Sequence, residues 1–524
     1  MNAAHAYVNA VIQRGRDGMQ PPGFDPDWSD APRDGKFYPG AETIPLPAGE
    51  LTASATLQDG LADGGGAGGF TLDTLGGMLL DSYGRIGRRL AVHANYDVPT
   101  LPGYPQARWA RGTASGGARY PVSVYWAAGP GGPLLPGVYH YSSPHHAMQR
   151  LLAGDVTGEV REAVGDPALT DHTDQYLVLG IKFWQNSFKY GNFSYHVVSM
   201  DIGTIVQTWR MWARAHGLDV EPVLWFDEHR LTRLLGLPDG EEGVFAVIPL
   251  RWRSERKGKH PAFASAAPRV RLADSELSKH TRGFEMGDEV HAATLENAAV
   301  RPPAGAAKAA APEVRGQGPA IPLPPPRSLG LPVREALRRR TSSFGRFTPD
   351  HALTPEELAT ALAGARAGAL AADVGAQGLT KSYVFVNNVE AIAPGSYEFD
   401  PEQNALLPVK TGPQGRFLQE HYFLDNYNLE LAGAVIVPAA RALTAVDALG
   451  ARGMRLVNAE IGAVSQAVYT ACAGLGIGCG AALGFDNRAY IQELGLRSTD
   501  EAPLVILLIG HERPDTADFR YEIA

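Results

Sequence analysis

The feature that most constrains this chain is that it contains one stretch of itself twice. Residues 201–218, DIGTIVQTWRMWARAHGL, align without a gap on 460–477, EIGAVSQAVYTACAGLGI, sharing an acidic-Ile-Gly start, Gln207 against Gln466 and Gly217 against Gly476. The register runs on through LWFDEHRLTRLLGL (224–237) and LGFDNRAYIQELGL (483–496), and PGVYHY (136–141) echoes PGSYEF (394–399). Apolar residues recur at helical spacing in each copy, Ile202, Ile205, Val206 and Trp209 in one, Ile461, Val464, Val468 and Cys472 in the other. This predicts a long helix in each, closed by a glycine in a left-handed cap. Any two amphipathic helices look alike, but a gapless match through helix, turn and following helix marks an internal duplication. If the ancestral unit worked as a symmetric dimer, fusion rebuilds that dimer within one chain, and the halves are then free to diverge.

A chain of 524 residues also exceeds one ordinary core. The pattern divides it into an N-terminal arm (1–70), a first body (71–255), a Pro/Ala-rich linker region (256–333) and a second body (334–524). Residues 1–50, rich in Pro, Asp and aromatics, suggest an irregular arm packed on the body, and ADGGGAGG (62–69) a flexible connection. The stretch from 302 to 330 has no apolar period and is expected to be poorly ordered unless pinned to the surface. Helical and strand patterns alternate in both bodies. The expected fold is therefore α+β, with two units that each have a mostly antiparallel sheet flanked by helices, packed as an intramolecular pseudo-dimer.

Composition narrows the function. With 44% hydrophobic and 20% charged residues the chain reads as globular and soluble. Its 47 basic against 56 acidic residues give a net charge of −9, and no Lys/Arg run suggests a phosphate-backbone footprint, so nucleic acid is not an expected partner. No segment approaches a membrane span or a secretory signal, which points to a cytoplasmic protein. Cys472 and Cys479 are the only cysteines and have no zinc spacing, while His145 and His146 are adjacent and diverge on regular structure. No metal site is expected.

Three segments carry candidate chemistry. REALRRRTSSFGRF (334–347) sets arginines and hydroxyls on an early helix, which suits a phosphate, although three consecutive arginines also suit a solvated helix face. RGTASGGARYP (111–121) precedes an apolar strand, and its small residues let backbone N–H groups approach a planar ligand; an ordinary Gly-rich loop reads the same way. FWQNSFKYGNFSY (183–195) holds Lys189 and Tyr190 among aromatics.

Together these pieces resemble the nitroreductase superfamily, and within it the SagB-type dehydrogenases, which oxidise thiazolines and oxazolines to thiazoles and oxazoles in ribosomally made peptides. The resemblance covers most of the chain from about 71 to 515 outside the linker. The family's Arg-x-Ser phosphate motif matches Arg340-Thr341-Ser342, with Arg339 and Arg346 as neighbours. Its flavin loop is similar to Thr113-Ala114-Ser115-Gly116-Gly117, with Ala114 in place of the usual Pro, and its catalytic Lys-Tyr pair matches Lys189 and Tyr190. The stretch whose backbone lies along the flavin ring matches Leu483-Gly484-Phe485-Asp486. The style of DWSDAPRDGKFYPG near the N-terminus resembles the thiopeptide-pathway branch.

The resemblance implies an FMN-dependent azoline dehydrogenase. It further implies an azoline-containing peptide as substrate, a cyclodehydratase partner and oxygen as electron acceptor. Lys189 would act as base, with Tyr190 orienting it or relaying the proton. The flavin of this family lies between subunits. The phosphate motif and Gly484 in one half and the Ser-Gly-Gly loop and Lys-Tyr in the other would then assemble one complete site. The symmetry-related site reads as broken, because Trp225 stands where Gly484 stands and GAQGLTKSYVFV (375–386) lacks the Ser-Gly-Gly loop, although Arg85, Arg88 and Arg89 could still hold a phosphate there. One FMN per chain is expected. GLGIG (474–478) closes a helix rather than opening one, so no NAD(P) fingerprint is present. Two alternatives remain open: an NAD(P)H-dependent flavin reductase of nitro, quinone or dehydroamino-acid compounds, and a non-catalytic scaffold for peptide or cyclodehydratase.

Overall fold

The computed structural model describes residues 2–50, 52–90, 95, 97, 107–253, 268–316, 318–370, 378–514 and 519–523. Two antiparallel sheets form in sequence, and they share one plan. The first runs in the order Glu42–Pro45, Ala147–Ala153, Gly137–Ser142, Val122–Ala128, Gln175–Lys182, Glu242–Pro249. The second runs Ile321–Pro322, Ala405–Thr411, Gly395–Asp400, Thr380–Val386, Ala434–Ala440, Ile506–Gly510, Gly478–Ala482, with Ala502–Pro503 added beside Ala434–Ala440. Each therefore holds a three-strand meander followed by two further strands. Even a local irregularity repeats. A bulge precedes Tyr139 in one meander and Tyr397 in the other. Each tyrosine hydroxyl donates back to the carbonyl four residues earlier, Leu135 at 2.5 Å and Ala393 at 2.6 Å.

Between the sheets cross the two helices that the repeat predicts, Ser194–Ala215 and Arg452–Leu475. Their crossing has a two-fold character. A Cβ on Gly203 would lie 1.6 Å from the Ala459 carbonyl oxygen, and one on Gly462 would lie 1.9 Å from that of Met200. The acidic-Ile-Gly motif is thus the contact point, where only glycine lets the backbones meet. The second helix ends on Gly476 (φ 76°) and the first is followed by Gly217 (φ 69°), as the repeat predicts. Nearly every side of both helices is buried, so their polar residues need partners inside the protein. Those partners turn out to be the loops of the candidate site.

Three expectations need correction. The arm is not irregular throughout. Asn2 caps a helix, Ala3–Gln13, that buries Tyr7, Val8, Val11 and Ile12, and Glu42–Pro45 joins the first sheet as its edge strand. The glycine run near 62–69 is tightly packed rather than a flexible tether, since a Cβ on Gly66 would sit 1.9 Å from the Gly217 oxygen and one on Gly65 2.1 Å from the Asp219 carboxylate. The linker region is largely tied down. It forms the helix Glu285–Leu295, buries Ala307 and Ala310, and contributes Ile321–Pro322 to the second sheet. Residues 329 and 331 accept hydrogen bonds from Gln58 and Leu57. Its residues 256–267 lie outside the described residues. A small third sheet joins Arg520–Glu522 to Gly87–Leu90 and Ala107–Ala110, bringing the end of the chain back to the first body. Among the described residues no helix is long and apolar enough to cross a membrane.

Candidate active site

The loop from Arg111 to Tyr120 is held open by the central helices. Asp201, on the first helix, accepts from Ser115 Oγ at 2.7 Å and from the Gly116 amide at 2.9 Å. Gln466, on the second, accepts from the Ala114 amide at 2.9 Å and donates to the Gly112 carbonyl at 3.2 Å. These bonds stabilise an uncommon backbone in which Gly117 (φ 61°), Ala118 (φ 54°) and Tyr120 (φ 50°) are left-handed. Two of the three are not glycine, which costs about 1–3 kcal/mol per residue and persists only where surrounding structure enforces it. Burial pushes the Asp201 carboxyl up to about 7, against the lowering effect of its two hydrogen bonds.

Lys189 and Tyr190 end the helix Trp184–Tyr190 and stand over that loop. A Cβ at Gly117 would lie 2.4 Å from Tyr190 Oη and 2.9 Å from Lys189 Nζ, so both functional atoms converge on the second glycine of the pair. The helix is clamped to the loop by Gln185, whose Nε2 donates to the carbonyls of Arg119 at 3.0 Å and Tyr120 at 2.9 Å. The arm fixes its other end, because Gln20 Nε2 donates to the Tyr190 carbonyl at 2.7 Å and leaves no room for a side chain at Gly191. Lys189 forms no ion pair among the described residues. Its ammonium is held below the usual lysine range by desolvation, then by the charges of Arg108 and Arg119. Burial and the Asp201 charge push the Tyr190 phenol up to about 12.

The second half supplies the remaining walls. Arg340 is buried and donates through Nε to the Gly112 carbonyl at 2.8 Å and through Nη2 to that of Arg111 at 3.1 Å, so it braces the base of the loop. Ser342 Oγ lies 2.9 Å from Tyr469 Oη, which accepts from the Ala481 amide at 2.7 Å. Leu483 and Gly484 follow that strand. Arg14 of the arm donates to the Leu483 carbonyl and stacks 4.9 Å over the ring of Phe193, itself 6.4 Å from Tyr190. Contacts thus run from the loop to the Lys-Tyr helix, from Tyr190 through Phe193 and Arg14 to Leu483, and from Ala481 through Tyr469 to Ser342.

Not every expected residue faces inward. Arg339 pairs with Glu335 on its own helix and is half exposed, as a solvated helix face would have it. Arg346 is tied to Glu512 at 2.5 Å. Thr113 lies below the loop and donates to Thr208 Oγ1 at 3.0 Å. Sequence reasoning missed Asp201, Gln466, Tyr469, Arg14 and Gln20. Asp201 and Gln466 did carry a signal, since both belong to the positions the two copies share. A cavity of about 640 Å³ opens on the other side of the Lys189 helix, past Trp184, Ser187 and Gly191. Its lysines are already paired, Lys182 with Asp274 and Glu276 at 2.5 Å each and Lys36 with Glu242.

These residues fit an FMN. A planar ring needs a wall of amides without side chains, and Gly116, Gly117 and Gly484 supply one. A phosphate needs hydroxyl and guanidinium donors. Ser342 and Arg340 lie at that end, and the neighbouring Ser343 Oγ is buried with no hydrogen-bond partner.

With the fold and the site geometry in place, similar proteins can be set beside them. Residues 336–511 match the family model described as the nitroreductase family. A crystal structure from Anabaena variabilis, provisionally described as a nitroreductase, superposes with a TM-score of 0.73 at 19% identity, covering 98% of this chain and 100% of that one. A protein of Methanocaldococcus jannaschii with the same provisional name is 26% identical over 130 residues, 25% of this chain. This chain spans 64% of that relative's length. Part of the Escherichia coli microcin synthetase complex is also similar, at 18% identity over 33% of this chain and 70% of that one, but its TM-score of 0.29 is too low to carry an argument. The family model thus covers about a third of the chain, in its second half, and the Anabaena structure shares the fold of the whole.

Proposed function

We propose that this chain is an FMN-dependent oxidoreductase that oxidises thiazoline or oxazoline rings to thiazoles or oxazoles in a ribosomally made peptide, using one composite site per chain. The observation that carries this reading is the convergence of Lys189 Nζ and Tyr190 Oη on Gly117, with the lysine desolvated, flanked by arginines and without a carboxylate partner among the described residues. A structural lysine is ordinarily paired, as Lys182 and Lys381 are here. A lysine whose charged form is disfavoured is suited to take a proton.

Ring oxidation removes one proton and one hydride equivalent from the azoline. FMN would supply the two-electron acceptor, with Arg340, Ser342, Ser115, Gly116, Gly117 and Gly484 as the residues that would hold it. Neutral Lys189 takes the proton from the carbon flanked by the C=N and the carbonyl, which those groups acidify. Tyr190, still protonated well above neutral pH, would accept a hydrogen bond from a Lys189 N–H and so leave the lysine lone pair free to point at that carbon. The rate therefore rises with pH as Lys189 deprotonates, along a limb below the ordinary lysine pKa of about 10.4. Oxygen as the final oxidant and a cyclodehydratase as partner belong to the same reading.

Lys189→Ala tests it. Azoline-peptide turnover should fall by roughly 10²–10⁴-fold, with the flavin absorbance unchanged. Undiminished turnover would reject the base assignment. Bleaching of the bound flavin by NADPH would move the chain to the reductase reading instead, and purified protein that takes up no FMN would make it a scaffold.

A further inference from the structure

The net negative charge of the chain hides a local concentration of the opposite sign. In the small third sheet, register sets Arg520, Arg89 and Arg108 directly opposite one another across three strands, and sets Tyr521, Arg88 and Trp109 in the adjoining row. Like charges directly opposite on a sheet are destabilising, and the first row holds three arginines with no carboxylate among them. Arg89 is turned inward, donating to the Arg340 carbonyl at 2.8 Å, whereas Arg88, Arg108 and Arg520 are exposed. The second row faces solvent. Tyr521 is 63% exposed, and the guanidiniums of Arg85 and Arg88 both stack 4.9 Å over the Trp109 ring. Trp109 is half-buried, and Tyr, Trp and Arg are the side chains enriched in binding interfaces.

Two further features say what the surface takes. Among the described residues Ala107–Ala110 is paired on one side only, so its other edge presents backbone donors and acceptors to an incoming strand. That strand also runs without interruption into Arg111–Gly117, the loop under Lys189 and Tyr190. A strand laid along this edge would lead into the site. We propose that this sheet docks an acidic, extended peptide segment that adds to the Ala107–Ala110 edge and places its carboxylates against Arg88 and Arg108. In a peptide-modifying enzyme this segment would be a part of the substrate remote from the reacting ring, so the inference rests on the peptide reading above. Charge complementarity of this kind speeds and orients encounter and weakens with salt.

The test uses the full chain and fluorescence anisotropy. The probes are a short fluorescein-labelled peptide of consecutive Glu residues, which presents carboxylates to both faces of the sheet, its Gln counterpart, and a single-stranded oligonucleotide of matched charge. The Glu peptide should bind more tightly than the Gln peptide, lose affinity with added salt, and bind roughly tenfold more weakly to the Arg88→Ser/Arg108→Ser double variant. The Arg88→Lys/Arg108→Lys variant keeps the charge and should retain most of the affinity. Equal binding of the two peptides to the unmodified protein overturns the proposal even if the serine variant folds poorly. So does unchanged binding by a folded serine variant, or an oligonucleotide that displaces the peptide. Because the probes contain no azoline, binding stands or falls separately from turnover.

Discussion

The two ends of the central helix pair are related by the repeat, and they have been put to different uses. A constant offset of 259 residues, set by Asp201 against Glu460, places Ala448 and Leu449 opposite Lys189 and Tyr190, Arg210 opposite Tyr469, and Trp225 opposite Gly484. Gly191 and Gly450 share the register and a positive φ, which anchors the comparison at the helix that carries Lys189. The acidic residues still do the same local work. Asp201 holds Ser115 and Gly116, while Glu460 accepts from the amides of Leu379 at 2.6 Å and Thr380 at 2.8 Å. Around Glu460, however, other side chains fill the corresponding positions among the described residues. Trp225 is buried with its indole N–H on the Val300 carbonyl at 3.0 Å, and Arg210 donates to the Ala369 carbonyl at 3.0 Å. Where Asn487 meets Arg14 beside the candidate site, Glu228 accepts from Arg452 at 2.8 Å and Arg455 at 2.7 Å in full burial. The scaffold of a site outlasts its chemistry, because the helix contacts are needed for folding and the Lys-Tyr pair is not.

The largest contrast is in rate. Lys189→Ala should cost roughly 10²–10⁴-fold in turnover, while Ala448→Lys in the counterpart should add none, since Trp225 closes the space it would serve. Activity gained by the second variant would show that the counterpart still binds flavin, and a flavin-to-chain ratio near two would say the same. Stability should show the reverse contrast. Glu228→Gln leaves two buried guanidiniums without a carboxylate and is expected to lose about 3–5 kcal/mol. Asn487→Ala removes one neutral partner of Arg14 and should lose about 1–2 kcal/mol. Equal shifts in the denaturation midpoint would mean that the ion cluster is not what secures that end.

Much of this was legible in the chain before folding, and the reasons are specific. The central helices could be read because the same apolar spacing recurs in two gapless copies, and their crossing because glycine at 203 and 462 has no substitute. The Trp225–Gly484 difference was visible because the alignment has no gap. The helix Ala3–Gln13 was missed because a short segment beside Pro-rich sequence gives a weak period. The role of glycines 65–69 was misread because close approach and flexibility use the same residue. Arg339 and Arg340 are neighbours in sequence, yet one is half exposed and the other buried. Only the helix end at Arg339, which turns the next side chain inward, separates them. The basic sheet could not be read at all, since its rows come from residues near 88, 108 and 520.

Gly117 offers a finer cut. Gly117→Ala imposes a left-handed backbone penalty of about 1 kcal/mol and puts a methyl 2.4 Å from Tyr190 Oη, so the Lys-Tyr pair must move. Turnover should fall by roughly tenfold or more. Gly476→Ala faces a similar φ with open space around it and should cost stability alone. If both variants lose activity equally, the contact at Gly117 does not set the geometry.

The smallest effect tests what the two halves still share. Burial raises both Asp201 and Glu460 to about 7, from the ordinary carboxyl range near 4. Between those values the folded protein holds protons that the unfolded chain has released, so stability falls as pH rises from about 4 to about 7. Asp201→Asn and Glu460→Gln should each flatten part of that slope in denaturation midpoints measured across the window. Only Asp201→Asn should also lower turnover, because an amide cannot accept from both Ser115 Oγ and the Gly116 amide as the carboxylate does. A slope unchanged by either variant would place the titration elsewhere. Loss of turnover in Glu460→Gln would mean that the counterpart half still shapes the site through the shared helix crossing.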